Sequence, residues 1–246
     1  MKISIQGGKA SFHDIAAHHY FGNDITSIYR NTFKEVCDDL QSGIADFAVL
    51  AIENSIAGTI LSNYALIKKY DFKIIGEIQL RIEMNLIALK GAKMEDIKVV
   101  RSHYMALLQC QQFLNQYPHI KVEEYHDTAD SAKKIKEEHE LGAAAIAGRM
   151  AADVYDLEVL ESSIETEKKN FTKFFILTRD KKYKVEQAEK ATLSFQLPNR
   201  IGALAELLTL VVNNGINLTK IQSIPILGRP DEYDFFIECE WNKNYI

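Results

Sequence analysis

Short runs typical of β-strands alternate with amphipathic helical stretches between residue 2 and about residue 178. Lys2–Gln6 is one such run and ends at Gly7-Gly8, whereas Asp46–Ile52 (DFAVLAI) has the continuous apolar character of a strand buried on both faces. Alternating β and α elements predict a mostly parallel sheet with helices on its faces. Such sheets bind ligands beyond the carboxyl ends of their strands, so we expect functional residues just after the strand-like runs.

Capping residues mark the beginnings of several helices. Ser11 precedes one helical stretch, and the Thr32-x-x-Glu35 pair precedes the next. A further helix is expected to begin at Ser102 and to continue to about Tyr117, before a proline. The N–H groups at a helix start have no partner within the helix, and they bind either a capping side chain or a small anion. These turns are therefore ordinary caps or contacts for a carboxylate or phosphate.

The pattern changes after a charged stretch, Arg179–Lys190, which lacks a sustained apolar face and is interpreted as a linker. Beyond it the sequence predicts a β-α-β-β unit, with strands at 191–197, 216–224 and 234–241 and a helix at 202–213. We place the domain boundary near residue 185. This gives a first domain of residues 1–185 and a second of residues 186–246.

Composition excludes several classes of protein. The 246 residues carry 29 Lys+Arg and 34 Asp+Glu, a formal net charge of −5, which disfavours a protein that covers nucleic-acid phosphates. No apolar run is long enough to span a bilayer, and the N-terminus lacks the pattern of a signal peptide. Cys37, Cys110 and Cys239 are too scattered for a zinc site or a disulfide framework. We expect a cytoplasmic protein without a metal site.

Two polar clusters are candidates for chemistry. Glu53 and Asn54 directly follow the buried run, so the carboxylate either supports a turn or lines the crevice. Thr172 and Lys173 lie within Asn170–Thr178 (NFTKFFILT), whose phenylalanines would fill the core of an ordinary strand. No nucleotide-binding glycine motif and no GxSxG elbow is present. These residues alone do not decide between structural and catalytic roles.

An ordered series of fragments resembles the prephenate dehydratase family, followed by an ACT regulatory domain. The fragments are Gly7–Phe12 (GGKASF), Ala51–Gly58 (AIENSIAG), Ser102–Cys110 (SHYMALLQC), Asp127–Ala132 (DTADSA), Ala144–Leu157 (AAIAGRMAADVYDL), Asn170–Phe174 (NFTKF), Gly202-Ala203-Leu204 and Asn217–Pro225 (NLTKIQSIP). The fold implied is α/β, with a two-lobed catalytic domain like a periplasmic binding protein and an α+β, ferredoxin-like ACT domain.

The resemblance implies a hydro-lyase that converts prephenate to phenylpyruvate, water and carbon dioxide in phenylalanine synthesis, without a metal or an organic cofactor. It assigns the catalytic hydroxyl to Thr172, amide contacts to Asn54 and Gln109, and orientation of that network to Glu53. The substrate-binding residues implied are Ser11, Ser55, Ser102, Asn170, Lys173 and Phe174. The usual Thr-Arg-Phe of the family is Thr172-Lys173-Phe174 here, so we expect weaker binding of a substrate carboxylate.

For the ACT domain, the resemblance implies L-phenylalanine as effector and association into a homodimer or homotetramer. The effector site implied comprises Gly202, Ala203, Leu204, Asn217 and Leu218. The family's usual Glu-Ser-Arg-Pro is Gln222–Pro225 here, and the sequence ends with Asn242–Ile246 after the third predicted strand. We therefore expect a partial ACT domain and weaker inhibition by phenylalanine than is usual.

The sequence is compatible with two other interpretations. The chain could be a non-catalytic protein that closes a cleft around a small carboxylate, although it lacks an export signal. Alternatively, the same enzyme could act on arogenate and form phenylalanine directly. Measuring product from prephenate and from arogenate distinguishes these interpretations.

Overall fold

The structure, a computed structural model, describes residues 1–226 and 228–241. The chain divides into two compact units, the first ending at Lys181 and the second beginning at Lys182. The first unit contains, in chain order, β1 (Lys2–Gln6), α1 (Phe12–Phe21), β2 (Thr26–Arg30), α2 (Phe33–Ser42), β3 (Phe47–Asn54), β4 (Gly58–Thr59), α3 (Leu61–Tyr70), β5 (Lys73–Arg81), β6 (Asn85–Ala88), a 3-10 helix (Met94–Asp96), β7 (Val99–Ser102), α4 (Tyr104–Gln109), α5 (Gln111–Leu114), β8 (Lys121–Glu124), α6 (Thr128–Glu138), β9 (Ala143–Ala147), α7 (Arg149–Val154), β10 (Glu158–Glu161) and β11 (Phe171–Thr178).

These strands form two separate sheets rather than the mostly parallel single sheet expected from the β/α alternation. One sheet has the order β2-β1-β3-β11-β5, with β4 paired to β3, and the other has the order β10-β6-β9-β7-β8. Each sheet combines a parallel part with an antiparallel part, since β11 runs antiparallel to β3 and β5, and β6 runs antiparallel to β9 and β10. We call the first sheet with α1–α3 the first lobe, and the second sheet with α4–α7 the second lobe.

The chain passes between the lobes twice, and these two connections divide the strands between two sheets. It leaves the first lobe after β5, through residues 82–84, and returns before β11, through residues 162–170. Each lobe has its own apolar core. Ile3, Ile5 and Val49 are fully buried in the first lobe, and Leu86 and Ile146 are fully buried in the second.

Capping chemistry fixes the helix starts that the sequence predicts. Ser11 accepts a hydrogen bond from the N–H of Asp14 at 3.3 Å. Thr32 and Glu35 form a reciprocal capping box at the start of α2. Both caps depend only on residues within one turn of the helix start, which is why the sequence predicts them.

The helix expected from Ser102 to Tyr117 is different in the structure. Ser102 is the last residue of β7, and its hydroxyl donates to the carbonyl of Ile146 at 2.6 Å, so it is not available as a cap. His103 caps α4 instead, through Nδ1, and the helix is interrupted at Cys110. The expectation was wrong because pairing of Ser102 with Glu124 of β8, together with the bond from its hydroxyl to β9, outcompetes the local capping preference of serine.

The second unit contains β12 (Lys190–Gln196), α8 (Ala203–Asn213), β13 (Asn217–Pro225) and β14 (Tyr233–Glu240). Its sheet has the order β12-β14-β13, and both pairings are antiparallel. Asn242–Ile246, on which the expectation of a partial domain depends, lie outside the described residues. No helix in the described part of the chain combines the length and apolar character needed to cross a membrane.

Candidate active site

A cavity of about 550 Å³ lies between the two lobes of the first unit. A volume of this size suits a small organic molecule. Its apolar lining comes mainly from aromatic and aliphatic side chains, which are Phe12, Phe33, Phe174, Ile60, Ile82 and Met84. Its polar lining includes Ser11, His13, Thr32, Asn54, His103, Gln109, Asp127, Thr128 and Thr172. The cavity can therefore hold an apolar ring whose substituents are polar.

A hydrogen-bonded network of three amides and one hydroxyl lies at one side of this cavity. Asn54 Nδ2 donates to Thr172 Oγ1 at 3.0 Å and to Asn170 Oδ1 at 2.7 Å. Asn170 is fully buried, and its Nδ2 donates to Gln109 Oε1 at 2.9 Å. The network thus connects the first lobe to α4 of the second lobe.

The orientation of the Asn54 amide is set by its own turn. Its Oδ1 accepts hydrogen bonds from the backbone N–H groups of Ile56 and Ala57, at 3.0 and 2.9 Å. Nδ2 must therefore face Thr172 and Asn170 as a donor. Because the Thr172 oxygen accepts from Asn54, its own hydrogen remains available for donation to a group in the cavity. Thr172 is 9% exposed, which places its hydroxyl in a largely desolvated environment.

Three helices of eight or more residues begin at the cavity wall. Ser11, Thr32 and Asp127 are the N-cap residues of α1, α2 and α6, and each of them lines the cavity. The partial positive charge at a helix start attracts negative groups, and the first-turn N–H groups donate to them. None of the described residues that line the cavity is a lysine or an arginine. Helix starts and neutral donors therefore dominate the favourable electrostatics for an anion.

Asp127 is the exception to this pattern, because it brings a carboxyl group into the cavity wall. Its Oδ1 accepts from the N–H groups of Ala129 and Asp130. Burial raises the pKa of Asp127 above its usual range, and the neighbouring charge of Asp130 adds to the effect. Gly7 (φ +93°) faces this carboxyl, and a Cβ atom at that position would lie 2.8 Å from Asp127 Oδ2. A glycine is therefore needed where the two lobes approach each other.

His13 is a second titratable group that is buried at the cavity wall. Burial lowers its pKa to about 3, so the imidazole is neutral at physiological pH. Its Nε2 accepts a hydrogen bond from the backbone N–H of Ala51 at 3.2 Å. The ring also lies against Phe174 in an edge-to-face contact, with centroids 5.0 Å apart.

The structure brings part of the predicted site together. Ser11, Asn54, Gln109, Thr172 and Phe174 line the cavity, and Asn170 lies behind them in the amide network.

The other predicted site residues of the first unit are placed elsewhere. The Ser102 hydroxyl is bonded inside the sheet, and exposed Ser55 exchanges hydrogen bonds with Lys169 and Phe171. Glu53 and Lys173 are paired across β3 and β11 and do not line the cavity. The reason is strand alternation, which sends neighbours of Asn54 and Thr172 to the opposite face.

In the second unit, the predicted effector residues fall at two places. Gly202 is the N-cap of α8, and Ala203 and Leu204 form its first turn. Asn217 and Leu218 begin β13, which follows the other end of that helix. Gly202, Ala203 and Leu204 are therefore separated from Asn217 and Leu218 of the same unit by the length of α8, about 16 Å for a helix of 11 residues.

Several cavity residues were not predicted from the sequence, among them His13, Thr32, Phe33 and Asp127. A signal existed for Thr32 and Asp127, because both are residue types that are preferred as helix caps. No local signal distinguishes His13 from the other histidines of α1. Among the described residues, no cluster of His, Cys, Asp and Glu side chains is suited to hold a metal ion.

Comparison with known proteins gives matches over nearly the whole chain. Residues 3–182 match the prephenate dehydratase family, and residues 191–240 match the ACT domain. A bifunctional chorismate mutase/prephenate dehydratase of Pseudomonas aeruginosa is 34% identical over 239 residues, which are 97% of this chain and 65% of that protein. The chain spans less than two thirds of the length of such curated relatives.

Two solved structures are similar over 98% of this chain, each with a TM-score of 0.87. One is prephenate dehydratase in complex with L-Phe from Arthrobacter aurescens, which is 28% identical and of which 80% is covered. The other is GqqA, described as a novel type of quorum quenching acylase, which is 26% identical and of which 87% is covered. These matches confirm the predicted fold class, a two-lobed α/β domain followed by an ACT-like unit. Because the family match covers residues 3–182, the chain belongs to the prephenate dehydratase family.

Proposed function

We propose that this chain is a prephenate dehydratase, a hydro-lyase that converts prephenate to phenylpyruvate, water and carbon dioxide. The observation that carries the proposal is the Thr172 hydroxyl, which lies at the cavity wall and accepts a hydrogen bond from Asn54 Nδ2. With its oxygen held in this way, the hydroxyl can donate its hydrogen to the group that leaves the substrate.

The chemistry of the substrate explains why one neutral donor is sufficient. When the ring carboxylate leaves as carbon dioxide, its bonding electrons enter the ring and the hydroxyl at C4 departs, so the ring becomes aromatic. Aromatisation supplies the driving force, but hydroxide is a poor leaving group. A donor at that oxygen stabilises the charge that develops there in the transition state. Threonine is a weak acid, so we assign Thr172 hydrogen-bond stabilisation rather than complete proton transfer, and the departing hydroxide takes a proton from solvent to form water.

The remaining cavity residues would bind and orient the substrate. Phe33, Ile82 and Phe174 provide apolar contacts for a six-membered ring. The N-terminal turns of α1 and α2, with Ser11 and Thr32 as caps, would receive the carboxylates. Asn54 and Gln109 would fix the ring relative to Thr172, which supports catalysis by orientation.

The direct experiment is to incubate the purified chain with prephenate and to measure the phenylpyruvate formed from its ultraviolet absorbance in alkali. We expect a rate far above that of prephenate in buffer alone at neutral pH. A rate equal to the buffer control would contradict the proposal and would favour a non-catalytic binding protein.

A second candidate substrate is arogenate, which carries an ammonium group where prephenate has a keto group. The specific observation in its favour is Asp127, a carboxyl group in a cavity wall that has no lysine or arginine among its described residues. An ionised Asp127 would attract the ammonium group and repel a second carboxylate. The test compares two assays of the same enzyme, phenylalanine formed from arogenate and phenylpyruvate formed from prephenate. The ratio of the two kcat/KM values shows which substrate is preferred.

We also propose L-phenylalanine as an effector of the second unit, a homodimer or homotetramer, and a cytoplasmic location. The ACT match supports both the effector and the association of subunits. Association is also supported by two apolar side chains of α8 that are more than half exposed, Leu210 and Val212. The three buried, unpaired cysteines are consistent with a reducing compartment. Calorimetry with phenylalanine and light scattering of the purified chain measure the first two directly.

A further inference from the structure

The pairing between β3 and β11 changes register by one residue just before the Asn54–Thr172 pair. Phe174 is paired with Ala51, whereas Lys173 is paired with Glu53 and Thr172 with Asn54. Ile52 therefore has no opposite residue in β11. An extra residue of this kind is a β-bulge, a device that changes the direction of the side chains that follow it.

The register shift decides which side chain faces the Thr172 hydroxyl. If the pairing continued from Ala51 and Phe174 without a shift, Glu53 would lie opposite Thr172. A carboxylate there would accept the hydroxyl hydrogen, whereas Asn54 donates to the hydroxyl oxygen and leaves that hydrogen available. A slip of one residue also exchanges the two faces of a strand, so Asn54 would turn away from the cavity.

Two side chains from outside the sheet hold Ala51, the last residue before the shift. His13 Nε2 accepts from the N–H of Ala51 at 3.2 Å, and Asn63 Nδ2 donates to the carbonyl of Ala51 at 2.7 Å. Both polar backbone groups of Ala51 are thus bonded to side chains, one from α1 and one from α3. The His13 ring also contacts Phe174, the residue paired with Ala51.

The chemistry of each side chain suits this task. His13 is neutral, and because Nε2 is the acceptor, the ring hydrogen is on Nδ1. Asn63 is fully buried, and its Oδ1 has no hydrogen-bond partner within the part of the chain that the structure describes. An unsatisfied buried oxygen is unfavourable, so the contribution of this asparagine is the donor that it offers to Ala51.

We propose that His13 and Asn63 are positioning residues, which hold Ala51 at the register shift and thereby keep Asn54, rather than Glu53, opposite Thr172. Neither residue needs to touch the substrate for this role. The kinetic consequence rests on the proposed dehydratase function, whereas the structural consequence does not.

The kinetic experiment compares His13→Leu with His13→Gln. Leucine removes the acceptor, and glutamine offers an oxygen at a similar distance from Cα. We expect His13→Leu to lower kcat on prephenate by on the order of 10-fold to 100-fold with KM changed less than about threefold, as for a small misplacement of a catalytic group. We expect His13→Gln to recover most of kcat. His19→Leu, at an exposed position of the same helix, is the matched control and should change neither constant.

Asn63→Leu is the second variant, because it removes the donor to the Ala51 carbonyl and keeps a similar volume. It should give the same loss of kcat at nearly constant KM. In a Thr172→Val background, neither His13→Leu nor Asn63→Leu should lower kcat much further, since both act through the Thr172 hydroxyl. Full additivity, or equal losses in His13→Leu and His13→Gln, would overturn the proposal.

Hydrogen exchange at the Ala51 amide provides a readout that does not need turnover. Loss of the bond to His13 Nε2 should increase the exchange rate of this amide by roughly fivefold to tenfold, the equivalent of one net hydrogen bond. The His19→Leu control should leave the exchange rate unchanged. An unchanged Ala51 rate in His13→Leu would overturn the positioning role even if the wild-type chain proved inactive on prephenate.

Discussion

Asn54 Nδ2 lies 2.7 Å from Asn170 Oδ1, although the two residues are 116 positions apart in the chain. Asn54 ends β3 of the first lobe, and Asn170 immediately precedes β11 on the return from the second lobe. The same Asn170 side chain donates to Gln109 of α4, so one buried amide connects both lobes at the cavity. This connection places the Thr172 hydroxyl within a network whose donors and acceptors are fixed.

Asn54→Asp removes the donor at this centre without changing the shape of the side chain. An aspartate can still accept from the N–H groups of Ile56 and Ala57, but it cannot donate to Asn170 Oδ1 or to Thr172 Oγ1. We expect kcat on prephenate to fall by on the order of 100-fold or more, as when a preorganised donor is removed. Asn23→Asp, at an exposed residue, is the control for the added charge and should retain the wild-type rate. Wild-type kcat in Asn54→Asp would exclude a role for this donor.

Thr172→Val removes one oxygen atom and keeps the volume of the side chain. If the hydroxyl stabilises the leaving oxygen mainly in the transition state, kcat should fall by on the order of 100-fold or more while KM changes little. Thr172→Ser keeps the hydroxyl and should retain a substantial fraction of kcat. Steady-state kinetics on prephenate distinguish the two variants, and equal rates in Thr172→Val and the wild type would refute the assignment of Thr172.

Lys173→Arg addresses the departure from the usual Thr-Arg-Phe of the family. The sequence predicted that lysine weakens the binding of a substrate carboxylate, but Lys173 is paired with Glu53 across the strands and does not line the cavity. We therefore expect kcat/KM to stay within about twofold of the wild-type value, because the bidentate geometry of arginine would not reach the substrate. A clear fall in KM would instead place residue 173 in contact with the substrate carboxylate.

The sequence predicts local features well because they depend on neighbours in the chain. The caps at Ser11 and Thr32 and the buried strand β3 follow from residues within one or two turns of each other. The unpredicted strands β2 and β10 lie at the edges of their sheets. An edge strand buries less apolar surface than a central one, so its sequence carries a weaker pattern.

The arrangement of the site depends on contacts that no local pattern contains. Glu53 and Asn54 are adjacent in sequence, and only the register shift between β3 and β11 determines which of them faces Thr172. The contact of Asn170 with Gln109 joins two lobes, and the apolar wall around it comes from both of them. The residue types of the site could be predicted, but their division between cavity, network and opposite face could not.

Asp127→Asn tests the one carboxyl group among the described residues of the cavity wall, with a cap for α6 retained because asparagine is also a good N-cap. At pH 8 we expect KM for dianionic prephenate to fall by about threefold or more, since even a screened charge at short range costs ~1 kcal/mol. If the ammonium-bearing arogenate is the better substrate, the same change should raise KM for arogenate. An unchanged KM for both substrates would show that Asp127 does not face the ligand.

The same variant should alter the pH dependence of stability. Burial raises the pKa of Asp127 in the folded chain, whereas an unfolded aspartate has a pKa of about 3.9. As pH falls from the raised value towards about 3.9, the folded chain takes up a proton that the unfolded chain does not, so this residue favours folding more at lower pH. Above the raised pKa the buried charge is destabilising. Urea unfolding over a pH series measures the free energy of unfolding against pH. The Asp127→Asn variant should gain less stability than the wild type as the pH falls. Near neutral pH the variant should unfold at an equal or higher urea concentration. Parallel pH profiles for the two proteins would contradict the raised pKa.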